Sequence, residues 1–178
     1  MRDYQEYLSR LADACPARAE FTTVGMIDEC LIPKIVIAGD PPAEHRGLLI
    51  AGVHGDEPAG PEAVIEIIEA LPNAGLKECD LHIFPCLNPW GFANNVRENK
   101  LGIDVNRAFE RSDVAEVGIV KQALADARYI FALDLHEDWE AKGTYLYEDT
   151  SVGSLVGHLI IEKSAVSDPS MVPHPKAK

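Results

Sequence analysis

Short apolar runs alternate with amphipathic segments along this chain, and the alternation predicts a succession of strands and helices. The predicted strands cover residues 19–25, 31–38, 48–51, 81–86 and 129–135. Three helices are predicted: residues 3–14, a segment with Pro61 in its first turn and Val64, Ile67, Ile68 and Leu71 on one face, and a segment capped by Ser112 with Val117, Val120 and Leu124 inward. Strands alternating with helices indicate a sheet covered by helices on both faces.

Turn and loop residues separate these elements. His45–Gly47 is predicted to form the turn before the strand at residue 48, and Pro72, Asn73 and Gly75 end the second helix. Residues 88–109 form a connection long enough to be typical of a binding loop. Residues 155–161 are expected to be helical or a buried apolar segment, and the last ten residues a loop or tail. The length of 178 residues predicts a single domain over residues 1–178.

The segment from Gly52 to Pro58 places His54 and Glu57 three residues apart, where an apolar strand becomes a helix. An imidazole and a carboxylate at this spacing have the geometry of two zinc ligands that arrive from one turn. A histidine and a glutamate before a helix also occur without a metal, because charged residues cap helices. The interpretation as a metal site therefore depends on a third ligand.

His136 is the candidate third ligand, because it too ends a short apolar run. Functional groups collect at the carboxyl ends of strands in an open α/β sheet, so His54 and His136 can converge although 82 residues separate them. Three protein ligands with an open fourth position let Zn²⁺ bind water, lower its pKa to about 7 and polarise a carbonyl. His54, Glu57 and His136 are therefore predicted to form a catalytic zinc site.

Two further motifs lie between these residues. Asn88-Pro89-Trp90-Gly91-Phe92 follows an apolar run, and the segment from Arg97 to Phe109 contains Arg-x-Asn-x-x-Gly-Ile-Asp-x-Asn-Arg-x-Phe. Arginine presents a planar fork of donors that matches a carboxylate, and an amide adds a neutral donor. The alternative is that Arg97 and Arg107 are surface ion-pair partners in a chain rich in Asp and Glu.

In order and approximate spacing, these motifs resemble the zinc metallocarboxypeptidases and their relatives, the aspartoacylase and succinylglutamate desuccinylase group. The resemblance covers about residues 48 to 137. It implies a three-layer α/β/α sandwich with a mixed, mostly parallel central sheet. It also implies that His54, Glu57 and His136 bind Zn²⁺, that Arg97 polarises the scissile carbonyl, and that Asn106 and Arg107 hold the substrate's free carboxylate.

The resemblance also implies a catalytic glutamate on a later strand, and that position falls beyond Lys178. The chain thus looks truncated or short and divergent. Glu137 and Glu148 are the nearest substitutes, but alternation along a strand points Glu137 away from the ligand next to it. Asp134 is a candidate to orient a ligand imidazole, although the same alternation is expected to point it to the opposite face.

The charge, the amino-terminal residues and the cysteines indicate which binding partners and which cellular location to expect. The net charge of −13 makes nucleic acid or an anionic membrane an unsuitable partner. The amino-terminal residues lack the apolar region of a signal peptide and no run is long enough to span a membrane, so we expect a cytoplasmic protein. The four cysteines form no Cys-x-x-Cys pair, which predicts reduced thiols. His82 is expected to be structural, and His158 and His174 are poor metal candidates.

These observations predict a zinc-dependent amidohydrolase that acts on a small peptide or N-acyl amino acid with a free carboxylate. The carboxypeptidase and deacylase branches stay open, because both substrates present nearly the same amide and carboxylate. A second class is a binding module that keeps the zinc and the carboxylate clamp without a general base. A third is a structural α/β domain with incidental histidines.

Overall fold

The computed structural model describes residues 1–72, 76–125, 127–141, 145–149 and 160. Its helices are α1 (Tyr4–Ala14), α2 (Ala59–Ala70), α3 (Pro89–Asn94) and α4 (Ala115–Leu124), with a 3₁₀ turn at Val105–Arg107. Its strands are β1 (Ala19–Ile27), β2 (Cys30–Ile37), β3 (Asp40–Ala51), β4 (Lys77–Phe84) and β5 (Phe131–Leu135).

The five strands form one mixed sheet in the order β1-β2-β4-β3-β5. β1 with β2 and β2 with β4 are antiparallel, whereas β3 runs parallel to both β4 and β5. Leu49 of β3 lies opposite Ile83 of β4 on one side and Leu133 of β5 on the other. The parallel alignment of β3 and β5 brings their carboxyl ends to the same edge of the sheet.

Helices pack on both faces of this sheet because apolar side chains of the central strands alternate between two cores. Leu49 and Ala51 belong to a core that α1 and α2 complete. Leu48 and Ile50 belong to a second core, which includes Val117 of α4. The predicted three-layer arrangement of helices around a mixed sheet is confirmed.

Several predicted boundaries were wrong. His45–Gly47 is not a turn but part of β3, which pairs with Cys79–Leu81 of a β4 that itself begins earlier than predicted. The polar side chains of His45 and Arg46 are exposed on this end of the strand, so polarity there marked exposure and not a turn. Ser112 does not cap a helix, since α4 begins after Val114 without a side-chain cap.

The connection over residues 88–109 is more regular than predicted. Asn88 caps α3, and its side-chain oxygen accepts a hydrogen bond from the Gly91 N–H at 2.9 Å. Asp104 caps the 3₁₀ turn in the same way, through the Arg107 N–H. The segment predicted at 155–161 lies outside the described residues apart from Ile160, and so do Asn73 and Gly75.

The chain divides into two compact units, Met1–Glu137 and Asp138–Lys178. The first unit contains the whole described sheet and its helices. The single-domain organisation stays a prediction. Within the described ranges, no helix has the length and apolar character needed to cross a bilayer.

His82 on β4 is buried, as expected of a structural histidine, and its Nδ1 lies 2.8 Å from the Tyr129 hydroxyl. Burial, with the positive charges of Lys34 and Arg46, lowers the pKa of His82 below its usual value. The unfolded chain therefore binds this proton more readily than the folded chain. The stability that neutral His82 contributes is complete above about pH 6.5 and is lost as the pH falls through its lower folded pKa.

We therefore expect the free energy of unfolding to fall more steeply with acidification in the wild type than in His82→Gln. Urea unfolding at about pH 7.5 and pH 5.5 measures this difference. Equal losses in the two proteins would contradict the assignment of a lowered pKa to His82. His45→Gln, at an exposed position on β3, is the matched control.

Candidate metal centre

The structure brings the three predicted metal ligands together at the carboxyl edge of β3 and β5. His54 and Glu57 lie in the loop between β3 and α2, and His136 directly follows β5. One ligand atom from each residue lies within 4.8 Å of the others. The residues converge because the two strands that precede the histidines, β3 and β5, are parallel neighbours and so end at the same edge of the sheet.

The donor atoms face one another closely. The Nδ1 atom of His54 lies 2.7 Å from Glu57 Oε1, and the Nδ1 atom of His136 lies 2.9 Å from Glu57 Oε2. The two Nδ1 atoms are 3.1 Å apart. Donors of a tetrahedral zinc site with bonds of about 2.0–2.1 Å are separated by about 3.3 Å, so two imidazoles and a carboxylate at these distances fit zinc.

Each imidazole is also held through its remote nitrogen. The Nε2 atom of His54 lies 3.2 Å from Asp104 Oδ1, and the Nε2 atom of His136 lies 3.2 Å from Asp134 Oδ2. Carboxylates in this position fix the orientation of metal-ligating imidazoles and raise their basicity. Both imidazoles therefore direct Nδ1 toward the shared site.

Two of these contacts correct the sequence reasoning. The expectation that Asp134 lies on the face opposite His136 was wrong, because residues two positions apart on a strand point to the same face. Asp104 lies within the motif from Arg97 to Phe109, and its role was not predicted. Its position next to Arg97 and His54 depends on how the long loop folds back, which spacing alone does not reveal.

The carboxylates of the site are strongly stabilised as anions. Burial by itself would raise the pKa of Glu57, but hydrogen bonds from His136, His54 and the Glu137 N–H outweigh it and hold that pKa well below its usual range. The pKa of Asp104 is also lowered, because the His54 hydrogen bond and the charge of Arg97 outweigh its burial. Hydrogen bonds to Asp134 and Glu57 raise the pKa of His136 to about 10. The negative charges of Glu57 and Asp104 therefore attract a cation to this site.

Arg97, the predicted electrophilic residue, lies beside the three candidate ligands. Its Nη1 donates to Glu57 Oε1 at 3.1 Å, and its Nε donates to Asp104 Oδ2 at 3.2 Å. The side chain is 39% exposed, so it borders the site and still faces solvent. Arg97 is thus an ion-pair partner, but of carboxylates in the candidate site and not of unrelated surface groups.

Asn106 and Arg107, the predicted carboxylate clamp, lie on the 3₁₀ turn that Asp104 caps. Both are exposed, and the Arg107 side chain reaches 83% exposure. The Arg107 Nε atom lies 3.6 Å from Asp104 Oδ2. The structure therefore connects both arginines to one carboxylate, which in turn contacts His54.

The loop that carries His54 and Glu57 is fixed against α3. A Cβ atom on Gly55 would overlap the backbone of Gly91, so only glycine permits this approach. The Gly55 N–H donates to the Arg97 carbonyl at 3.3 Å. Its own carbonyl accepts from Arg2 at 3.1 Å, and Arg2 also donates to the Phe92 carbonyl at 3.0 Å. The candidate ligands and Arg97 therefore lie on one connected framework.

The two glutamates considered as substitute bases lie in different units. The Glu137 carboxylate accepts a hydrogen bond from the Ala59 N–H at the start of α2, at 3.0 Å. Glu148 belongs to the second unit, at residues 138–178. Neither contact with a substrate nor a base role follows from these positions.

Residues 43–153 match the family described as the succinylglutamate desuccinylase/aspartoacylase catalytic domain. Carboxypeptidase M of Mus musculus is 29% identical over 132 residues, which cover 57% of this chain and 30% of that protein. A Burkholderia cenocepacia metallo-carboxypeptidase aligns with a TM-score of 0.77 and 19% identity over 97% of this chain and 53% of its own. A Shewanella denitrificans protein assigned to the metallopeptidases gives a TM-score of 0.71 and 26% identity, covering 85% of this chain and 60% of its own.

The fold is metallocarboxypeptidase-like, and His54, Glu57 and His136 form a cluster that could hold a metal ion. The chain belongs to the succinylglutamate desuccinylase/aspartoacylase catalytic domain family, within the zinc metallocarboxypeptidase superfamily. It spans less than a third of the mouse relative and between half and two thirds of the two solved structures.

The contact between Asp104 and His54 makes a prediction about metal affinity. Replacing Asp104 by alanine removes the acceptor at His54 Nε2 and a partner of Arg97. We expect zinc to bind about 10- to 100-fold more weakly, the range typical for residues that orient metal ligands. Competition with a chromophoric chelator measures this change. Asp113→Ala, which removes an exposed partner of Arg111, should leave the affinity unchanged, and an equal effect of both substitutions would contradict the role of Asp104.

Proposed function

We propose that this protein is a zinc-dependent hydrolase that cleaves an amide bond adjacent to a free carboxylate, as carboxypeptidases do. The observation that carries the proposal is the convergence of His54 Nδ1, His136 Nδ1 and both Glu57 oxygens at separations of 2.7 to 3.1 Å. Zinc, when bound by these residues, supplies a Lewis acid that polarises carbonyls and activates water near neutral pH. The family and the fold support a hydrolase of this class.

Arg97 is the proposed electrophilic residue. Its guanidinium lies beside Glu57 and Asp104, so its orientation is fixed before a substrate arrives. A preorganised donor of this kind stabilises the negative charge that develops on the carbonyl oxygen during attack. Because the side chain is partly exposed, a substrate carbonyl can reach it.

Asn106 and Arg107 are proposed to bind the substrate's free carboxylate. Both side chains are exposed on a short turn that Asp104 holds next to His54. A guanidinium and a neighbouring amide offer directed donors to a carboxylate. They also provide a local attraction for an anionic substrate in a chain with a net charge of −13. The proposed substrate is therefore a small peptide or N-acyl amino acid. We further propose that the protein is cytoplasmic and binds neither nucleic acid nor membrane.

The general base is left unassigned. The Glu137 carboxylate accepts a hydrogen bond from the Ala59 N–H at the start of α2, so we do not propose it as the base. A chain that binds zinc and a carboxylate without turnover would be a binding module of the same family. Zinc binding without hydrolysis of any substrate would identify such a module.

A second candidate is an N-acyl amino acid deacylase. The family match, to the succinylglutamate desuccinylase/aspartoacylase catalytic domain over residues 43–153, favours it. The carboxypeptidase relative and the Shewanella denitrificans metallopeptidase structure favour a peptidase, which is the first candidate. Both activities require the same metal, Arg97 and carboxylate clamp, and they differ in the acyl part of the substrate.

The two candidates are tested by hydrolysis of hippuryl peptides beside N-acetyl and N-succinyl amino acids, on protein of measured zinc content. Turnover of peptides alone supports the carboxypeptidase, and turnover of acetyl or succinyl substrates alone supports the deacylase. Zinc with no turnover supports the binding module. A protein that retains no zinc would refute all three.

A further inference from the structure

Helix α2 begins with a turn that no nearby side chain caps. Pro58 precedes the helix in a helical conformation and provides no side-chain cap, and its carbonyl already accepts from the Glu62 N–H at 3.1 Å. The residue before Pro58 is Glu57, whose two carboxylate oxygens face His54 and His136. Pro58 at the capping position has no acceptor side chain, and the Glu57 carboxylate before it is engaged in the candidate metal site, so neither side chain satisfies the first N–H groups of the helix.

Glu137 fills this role from a distant part of the chain. Its Oε2 atom accepts a hydrogen bond from the Ala59 N–H at 3.0 Å, across 78 positions of sequence. A carboxylate at a helix amino terminus satisfies an otherwise unpaired donor and interacts favourably with the helix dipole. The start of α2 is therefore fixed by the residue that directly follows His136.

Two close backbone approaches, one on each side of His136, also connect the end of β5 to the start of α2. The Glu137 N–H donates to Glu57 Oε2 at 2.9 Å. A Cβ atom on Gly60 would lie 2.9 Å from the Leu135 carbonyl oxygen, so the first turn of α2 approaches the end of β5 more closely than any other residue permits. Residues 135 and 137 thus contact residues 57 and 60, and the segments that carry two candidate ligands are joined.

We infer that Glu137 is a positioning residue, whose carboxylate holds the start of α2 against the end of β5 and thereby sets the spacing between Glu57 and His136. The inference rests on the proposed zinc site. Glu137 is thus proposed to support metal binding by positioning the ligands, and not to transfer a proton. Its side chain acts through the Ala59 N–H, because the contact with Glu57 is made by its backbone.

Zinc affinity of Glu137→Ala and Glu137→Gln, measured by chelator competition on the full chain, tests the inference. Glutamine keeps an acceptor oxygen at the same reach, and alanine has none. We expect zinc to bind about tenfold more weakly to Glu137→Ala, as for other residues that orient metal ligands, and nearly as tightly as wild type to Glu137→Gln. Glu66→Ala, at an exposed position on α2, should match wild type.

Melting of the zinc-free proteins separates positioning from a merely structural role. A lower melting temperature of Glu137→Ala with unchanged zinc affinity would overturn the inference, and so would equal weakening by alanine and glutamine. Where the alanine variant does not fold, Glu137→Asp, which is one methylene shorter, takes its place with the same expectation. Absence of zinc from the wild type would refute the proposed function itself, whereas zinc in the wild type and equally in Glu137→Ala would refute this inference alone.

Discussion

Replacing His54 by alanine is expected to abolish zinc binding under conditions where the wild type retains about one zinc per chain. His54 is 3% exposed, and it contacts Glu57 through one ring nitrogen and Asp104 through the other. Its loss removes one of three donors, together with the imidazole contacts of Glu57 Oε1 and Asp104 Oδ1. Loss of residues that only orient ligands weakens binding 10- to 100-fold, so loss of a ligand should exceed about 100-fold.

Elemental analysis after dialysis, followed by chelator competition, measures this loss. His45→Ala is the matched control, because His45 is exposed on β3 and far from the carboxyl edge of that strand. We expect it to bind zinc like the wild type. Retention of zinc by His54→Ala would show that another set of residues binds the metal.

Replacing Arg97 by glutamine is expected to lower kcat about 100- to 1,000-fold on whichever amide substrate the wild type hydrolyses. The guanidinium is held by Glu57 and Asp104 and is partly exposed, as a group that meets a developing oxyanion should be. Since the effect belongs to the transition state, KM should change far less than kcat. Zinc content should stay near that of the wild type, because Arg97 is not a donor to the metal.

Steady-state kinetics on protein of matched zinc content measures the effect. Arg111→Gln removes an exposed arginine that pairs with Asp113 and should leave kcat unchanged. Arg97→Lys keeps the charge without the planar fork and should recover only part of the rate. A value of kcat for Arg97→Gln equal to that of the wild type would remove Arg97 from the mechanism.

The layers of the fold and the meeting of His54 with His136 were predictable, because both follow from local patterns. Strands alternating with helices indicated a sheet covered on both faces, and a histidine after each of two strands placed both at one edge of the sheet. The full length of β3 was not predictable. Glu44, His45 and Arg46 are polar and exposed, and pairing of His45 and Arg46 with β4 is what extends the strand through them.

Among the residues around the candidate ligands, one contact could be predicted from the sequence and two could not. Asp134 could have been assigned by counting, since two positions along a strand return to the same face. The contacts of Asp104 and Glu137 could not, because both depend on tertiary proximity: one on a loop that folds back over the sheet edge, the other on the approach of α2 to β5. Positions that act on a site through other residues leave little trace in local sequence patterns.

X-ray absorption at the zinc edge of the purified full chain tests the central claim most directly, since it reports the donor atoms themselves. The account predicts about one zinc per chain with nitrogen and oxygen donors at about 2.0–2.1 Å and no sulfur, in line with two imidazoles and a carboxylate. Absence of zinc after reconstitution, or sulfur donors at about 2.3 Å that would implicate the cysteines, would contradict it.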